Sequence, residues 1–240
     1  APGVRAVRKA NPDLVVHASN WTAPSVSGAL WARLMAPRSL VVGHDVWPVR
    51  GLQDVNVGLR NDTVSEVRQR VHLLSVLPGH QEVLSLSFRT PRPSPGLNDW
   101  QARTLGNQPY AVVNPGGRLG YRRVPPEVFA RIVRTLFQKG RVPVVTWGPG
   151  EKPLALEVAR GAEGAVLAPE TDLDGLAHLM KGALVTVCNN TGPMHLSVAV
   201  GTPTFALFLH MPPARWGHFY GPHRMLDLTP AWQHGLSLPD

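Results

Sequence analysis

At 240 residues, 43% of them hydrophobic and 17% charged, the chain is too apolar for a disordered tail and long enough for one large domain or two small ones, each with a real core. Its one cysteine, Cys188, excludes a disulfide scaffold and a cysteine-rich zinc site and suits a reducing, cytoplasmic setting. The formal charge of +8 points to anionic partners: nucleic acid, an acidic membrane face or phosphorylated small molecules.

In chain order, Val4 to Lys9 reads as a helical segment that Asn11-Pro12-Asp13 breaks, and Leu14 to His17 reads as a short buried strand. A helix is expected over Ser25 to Met35, a second buried strand over Leu40 to Gly43, and a loop from Trp47 to Asp62. Ser65 to Leu77 places Val67, Val71, Leu74 and Leu77 at helical spacing before Pro78-Gly79 stops it. Thr90 to Gly96 is too rich in proline for an element interior and reads as a stiff linker, which puts a domain boundary near Asn107. Beyond it the alternation is regular. Strands are expected at Tyr110–Val113, Pro143–Trp147, Ala165–Leu167, Leu184–Cys188 and Thr204–Leu209, with helices at Pro126–Lys139, Pro153–Arg160, Leu173–Lys181 and Pro193–Val200. Apolar strands alternating with amphipathic helices imply a parallel sheet covered on both faces, a Rossmann-like doubly wound α/β domain. No apolar run reaches the ~18 residues of a membrane span, and Ala1 to Arg5 lacks the apolar core of a signal peptide.

Ligands of such sheets bind beyond the carboxyl ends of the strands, and three loops there carry polar chemistry. Asn114-Pro115-Gly116-Gly117-Arg118 offers backbone N–H groups with no Cβ in the way, and Arg118, Arg122 and Arg123 add forked donors; it reads as a phosphate cradle or as a tight turn with solvated arginines. No Gly-Lys-Ser/Thr follows, so it is not a Walker loop. Gly148-Pro149-Gly150-Glu151 ends in a carboxylate that either complements a helix start or accepts both hydroxyls of a ribose. In Asn189-Asn190-Thr191-Gly192-Pro193-Met194-His195, Pro193 suits the first helical position with Gly192 as its N-cap, so free N–H groups would point outward beside Thr191 and His195. His195 either donates to a phosphate held there or packs against the sheet. Asp172-Leu173-Asp174 spells a D-x-D, but it opens an amphipathic helix, where Asp172 is an ordinary N-cap and Asp174 an ordinary first-turn acid.

The run from Val187 to Gly201 resembles the heptosyltransferases of glycosyltransferase family 9, whose pattern reads Asn-Asp-Thr-Gly-Pro-Met-His-Leu-Ala followed by Ala-x-Gly-Thr-Pro. Asn114-Pro115-Gly116, Pro203 to Phe208 and Pro213 to Gly217 match as well, and the likeness runs from about Asp13 to Gly221. The resemblance implies a GT-B fold of two facing Rossmann-like domains: a partial acceptor-side domain over 1–106 and a complete nucleotide-sugar domain over 107–240. It places Thr191, Gly192 and His195 at the donor diphosphate and sugar, Arg122 at the phosphates or sugar, Glu151 near the ribose and Thr171 at the nucleobase. Asn114, Gly116, Gly117, Arg118 and Asn190 complete the implied donor site. Asn190 stands where the family has Asp, and Leu209 stands where it has glycine, which would crowd the cleft. The family's opening strand and Gly-Asp loop, the source of its catalytic carboxylate, have no counterpart, so the chain reads as truncated at its front, and Leu226 to Asp240 shows no closing helix. The catalytic base is unassigned. Asp13 precedes its strand and falls at the wrong end of the sheet; His17 is better placed, as a base or in a structural or acceptor-contact role.

The function implied is inverting, metal-independent and cofactor-free transfer of a sugar, heptose by resemblance, from an ADP-linked donor to a lipopolysaccharide-core or other lipid-linked glycan acceptor. The enzyme would be cytoplasmic, with its basic charge compatible with the inner membrane face. The helix start at Pro193, His195, the Gly116-Gly117 amides and Arg122 would neutralise the departing diphosphate without a metal. The alternative is a non-catalytic nucleotide-sugar-binding or partner subunit; a third reading is a GT-B sugar-nucleotide epimerase. Nucleic-acid binding is not expected, because the arginines do not cluster with interleaved aromatics.

Overall fold

The computed structural model of the chain describes residues 2–59 and 65–233. Its α/β elements form two compact units, Ala1–Leu84 and Ser85–Asp240.

The first unit opens with helix α1 (Pro2–Ala10), strand β1 (Leu14–His17), helix α2 (Val26–Met35) and strand β2 (Leu40–His44). Ser25 caps α2 by accepting from Gly28 N at 3.0 Å. A three-residue strand, β3 (Val55–Val57), follows inside the stretch expected to be a loop; the Arg60–Asp62 end of that stretch lies outside the described residues. The three strands pair in parallel in the order β1-β2-β3. Helix α3 (Glu66–His72) tightens into a 3-10 turn over Leu73–Val76. It buries Glu66, Gln69 and Leu73, whereas Leu77 of the expected apolar stripe is exposed. The unit therefore takes polar side chains inward at this helix, and Glu66 accepts from Arg70 at 2.9 Å.

The second unit holds helix α4 (Leu97–Thr104), then β4 (Tyr110–Asn114), α5 (Pro126–Gln138), β5 (Val142–Val145), α6 (Lys152–Arg160), β6 (Val166–Leu167), α7 (Leu173–Gly182), β7 (Thr186–Asn189), α8 (Gly192–Ala199) and β8 (Thr204–Phe208). A short helix α9 (Pro213–Trp216), strand β9 (Arg224–Asp227) and helix α10 (Thr229–Gln233) complete it. The sequence reading had no strand or helix after Thr204–Leu209. Residues 234–240 of its unstructured stretch lie outside the described residues. All six strands are parallel, in the order β6-β5-β4-β7-β8-β9. Counted from β4, this is the doubly wound order 3-2-1-4-5-6, whose direction reverses between β4 and β7.

Alternation along β4 divides the core into two layers. Val113 packs with Phe129, Val133 and Val158 of α5 and α6, while Val112 packs with Ala177, Leu179 and Met180 of α7. Each fully buried side chain of the size of Phe129 contributes about 1.5–3 kcal/mol.

The expected boundary at 106/107 moves to 84/85, because residues 85–106 fold onto this sheet. Phe88 N donates to Ala199 O at 3.0 Å, Ser94 Oγ donates to Asp172 Oδ1 at 2.7 Å, and Leu97 and Leu105 are buried with Val112 and Val144. The proline-rich stretch is thus a strap on the second unit, not a free linker.

Candidate functional site

The reversal in strand order splays the loops after β4 and β7 apart, and a cleft opens between them. Its volume is about 300 Å³, and it is lined by Asn114, Gly116, Gly117, Arg118, Leu119, Arg122, Arg123, Glu151, Asn190, Thr191, Gly192 and Pro193. Nine of the eleven residues implied as the donor site therefore meet in one place, drawn from all three loops: Asn114, Gly116, Gly117, Arg118, Arg122, Glu151, Asn190, Thr191 and Gly192.

The remaining two do not line it. Thr171 lies in the loop ahead of α7 and is half-buried. His195 turns toward α9 and the loop after it: its Nδ1 lies 2.7 Å from Nε2 of His218. Leu209 does not crowd the cleft either, because its side chain is buried in the core with Leu228 and Val124.

The wall at α8 starts one residue earlier than the sequence reading placed it. Thr191 is the N-cap, in extended backbone, with Gly192 first in the helix and Pro193 second. The Thr191 hydroxyl donates back to Asn189 O at 3.4 Å rather than capping the helix. Among the described residues nothing accepts from Gly192 N, so the positive end of the helix faces the cleft unscreened.

The opposite wall is the glycine loop. A Cβ on Gly116 would overlap the Glu151 carboxylate, and one on Gly117 would come within 2.8 Å of Thr191 Cγ2. Glu151 precedes α6 and holds two loops at once: Oε1 accepts from Gly117 N at 2.7 Å and Oε2 from Gly148 N at 3.2 Å. Arg123 closes the circuit, donating from Nε to Gly117 O at 2.5 Å and standing 3.6 Å from Glu151 Oε1. Arg118 and Arg122 form no ion pair among the described residues, so their charge is uncompensated. Arg122 lies with its guanidinium 5.3 Å from the Tyr121 ring centre, and its Nε is buried with no partner. Such an arrangement suits a compact dianion: two free guanidiniums, an open helix start and loops already braced.

Asn189 belongs to the third loop's motif, but its bracing role was missed in the sequence. Wholly buried at the end of β7, it accepts from Val124 N at 3.0 Å and donates to Pro115 O at 2.7 Å and Gly116 O at 3.2 Å. The signal was the period of two along β7, which turns Asn189 to the β4 loop and leaves Asn190 at the cleft. Asn114 Nδ2 likewise donates to Thr146 Oγ1 at 3.1 Å, while its buried Oδ1 has no partner. Asp172 is the N-cap of α7, accepting from Gly175 N at 2.7 Å, and Asp174 pairs with Arg89, so both acids of the D-x-D have structural partners.

In the first unit, His17 closes β1 with Nδ1 3.3 Å from Gln53 Nε2, and its Nε2 is buried without a partner. Burial lowers its pKa. His44, at the end of β2, is 2% exposed and pushed down to about 4, first by burial and then by the charges of His72, Arg70 and His17. Both rings are thus held neutral near pH 7. No helix of the described residues is long and apolar enough to cross a membrane.

Residues 77–230 match the family described as glycosyltransferase family 9 (heptosyltransferase). Among curated proteins, the chain is 32% identical over 104 residues to lipopolysaccharide heptosyltransferase 3 of Escherichia coli strain K12, covering 41% of this chain and 30% of that protein. It is 30% identical over 101 residues to lipopolysaccharide heptosyltransferase 1 of Pseudomonas aeruginosa, covering 42% and 28%. The alignments thus span less than a third of either relative. Among solved structures, a glycosyl transferase family 9 protein of Veillonella parvula superposes with a TM-score of 0.75 at 19% identity, covering 97% of this chain and 68% of that one. E. coli heptosyltransferase WaaC with ADP superposes at 0.66 and 19%, covering 94% and 71%. These likenesses carry the fold, which is of the GT-B type.

Proposed function

We propose a function on one premise: the chain belongs to glycosyltransferase family 9, the heptosyltransferase family. It transfers a sugar from a nucleoside-diphosphate donor to a glycan acceptor, with the donor diphosphate seated in the cleft between β4 and β7. The observation that carries this reading is the convergence of Arg118, Arg122 and the unpaired Gly192 amide on one cavity. The resident charge is positive and fixed in place, which stabilises a diphosphate most when it gains charge as a leaving group.

The donor is an ADP-linked heptose. One structurally similar protein, E. coli heptosyltransferase WaaC, is seen in two structures, with ADP and with ADP-2-deoxy-2-fluoro heptose, and the curated relatives are lipopolysaccharide heptosyltransferases, which supports a lipopolysaccharide-core acceptor. Transfer inverts the anomeric centre: the acceptor hydroxyl attacks from the face opposite the diphosphate, a base removes its proton, and the glycosidic oxygen leaves on the diphosphate. Arg118, Arg122 and the helix start neutralise that leaving group, so no metal is needed for this task. The one carboxylate lining the cleft, Glu151, is engaged by Gly117, Gly148 and Arg123, and the base therefore lies elsewhere than in this cavity.

Calorimetric titration of the chain with ADP, UDP and GDP tests the donor site. ADP binds most tightly, and Arg122→Ala weakens it about tenfold, as expected for the loss of a charged hydrogen-bond donor. Equal affinity for ADP in Arg122→Ala and the parent would refute the site. ADP binding without transfer of heptose from ADP-heptose to a heptose-deficient lipopolysaccharide core would favour a binding subunit instead.

A further inference from the structure

Helix α2 of the first unit is built inside out. At about 100° per residue, Gly28, Ala29, Ala32 and Arg33 share one side of it, and all four are buried or half-buried; Ala29 is wholly buried and Arg33 pairs with Asp54. The other side carries Val26, Ser27, Leu30, Trp31 and Leu34, all exposed, with Trp31 at 55% and Leu34 at 61%. A single exposed apolar residue needs no explanation, but four large ones on one side of one helix do. The helix gives its small residues to the interior and its large apolar ones to solvent, the reverse of a helix that only covers a sheet.

Beside this helix the chain is basic without counter-charge. Arg5, Arg8 and Lys9 of α1 are exposed, with Val7 among them. Neither helix contains an acid, and Asp13 is the only one from Ala1 to Leu40. Arg5, Arg8, Lys9 and Arg38 form no ion pair among the described residues. Where α1 and α2 end, Arg8 and Arg38 line a cavity of about 250 Å³ with Asn11, Met35 and Ser39, and no carboxylate stands in its wall. The carbonyl ends of the two helices answer part of that charge, and the guanidinium forks suit a phosphate. Tryptophan and leucine beside unpaired cations are the chemistry of a layer that is apolar below and anionic above, the surface of an acidic bilayer. A second copy of the chain fits less well, because a two-fold contact would set these cations against themselves.

We propose that α2 and α1 dock the first unit on an anionic lipid bilayer: Val26, Leu30, Trp31 and Leu34 enter the headgroup layer, while Arg5, Arg8, Lys9 and Arg38 meet lipid phosphates. This face lies outside the donor site and does not depend on the reading of the cleft. For an acceptor that is itself held in a membrane by its lipid, docking raises the concentration of enzyme at the acceptor.

Flotation of the full chain with vesicles tests this, using phosphatidylethanolamine–phosphatidylglycerol mixtures against pure phosphatidylcholine. The parent floats with the anionic vesicles, binds the neutral ones at least about tenfold more weakly, and is released by salt. Arg8→Gln with Arg38→Gln weakens binding about 25-fold, at roughly fivefold per cation. Leu30→Gln with Leu34→Gln weakens it about tenfold. Both pairs keep the circular dichroism spectrum of the parent and its ADP affinity, since all four side chains are exposed or half-buried and stand outside the donor cleft. A parent that does not float overturns the proposal whether or not any variant folds. Equal flotation of the parent and both variants overturns it as well, because another face then docks. A parent that stays off the vesicles but dimerises in sedimentation, and loses the dimer in Leu30→Gln/Leu34→Gln, overturns it in favour of a second copy. Failure of ADP to bind a parent that floats would remove the donor-site reading and leave the docking face standing.

Discussion

Replacing Asn189 is the sharpest perturbation of the cleft that leaves every cleft-lining side chain in place. Its side chain serves three buried backbone groups, Val124 N, Pro115 O and Gly116 O, at 0% exposure. Asn189→Ala leaves one N–H and two carbonyls without partners, and a buried group so stranded costs about 1–3 kcal/mol. The Pro115 bond is short, the Val124 bond is of ordinary length, and the 3.2 Å contact to Gly116 is a shared, weaker one, so the whole comes to about 3–5 kcal/mol. That is a large part of the ~5–15 kcal/mol that holds a domain. Asn189→Asp separates the two functions of the amide: it keeps the acceptor for Val124 but turns an oxygen toward two carbonyls, and it survives only as a protonated acid. Urea denaturation followed by tryptophan fluorescence reads the loss as a lower midpoint at unchanged slope. ADP titration of the folded fraction reads the loosened glycine loop as weaker binding. An Asn189→Ala protein within about 0.5 kcal/mol of the parent, with parent-like ADP affinity, would refute the bracing role, since unpaired buried carbonyls cannot be that cheap.

Glu151→Gln presents an NH2 group where one of the Gly117 and Gly148 amides now finds a carboxylate oxygen; stability falls by about 1–3 kcal/mol and ADP affinity by about tenfold, read by thermal melting and calorimetry. Gly116→Ala puts a methyl group into the Glu151 carboxylate; the chain keeps its circular dichroism spectrum but loses ADP affinity more than stability, and parent-like affinity would show that the loop has room. Acid destabilises the protein through His44 and His218, each about 4 when folded against an ordinary 6.5. Because the folded values are depressed, the unfolded chain binds more protons between those limits, and stability present above about pH 6.5 drains away down to about pH 4. Each ring removes about 2 kcal/mol between pH 7 and pH 5. Melting curves flat across that interval would show that the two rings are not held neutral by the fold.

The doubly wound half of the molecule was legible because its signals are local and redundant. Strands such as Tyr110–Asn114 are unbroken apolar runs, and α5 buries Phe129, Ala130 and Val133 at the spacing its sequence displays. The cleft was legible for the same reason, since parallel strands confine chemistry to the loops at their carboxyl ends. What escaped notice depends on partners far away in the chain. β3 is three residues long and exists by pairing with β2, and β9 alternates half-buried with exposed positions, so neither makes an apolar run. The proline-rich strap is ordered by Asp172 and Ala199, which lie far downstream. In α3 the inward face carries Glu66 and Gln69, which no apolar period could announce. His195 was expected at the cleft because it follows Pro193; the side chain instead answers to His218, a contact across 23 residues.

Glu151 shows how the loops divide their labour. A carboxylate has about four lone-pair positions. Gly117 N, Gly148 N and Arg123 address three directions around this one, which leaves room for one further hydrogen bond. Accepting both hydroxyls of a ribose, as the sequence suggested, would require one loop amide to be released, and a released amide in a half-buried wall costs as much as the new bond returns. A single ribose hydroxyl can be accepted at no such cost. The same logic applies to Asn189, whose amide is spent on backbone. The groups left unspent are Arg118, Arg122 and the Gly192 amide. Since the bracing bonds exist before any ligand arrives, these three are already in place, and a bound diphosphate gains their full attraction with little reorganisation of the protein.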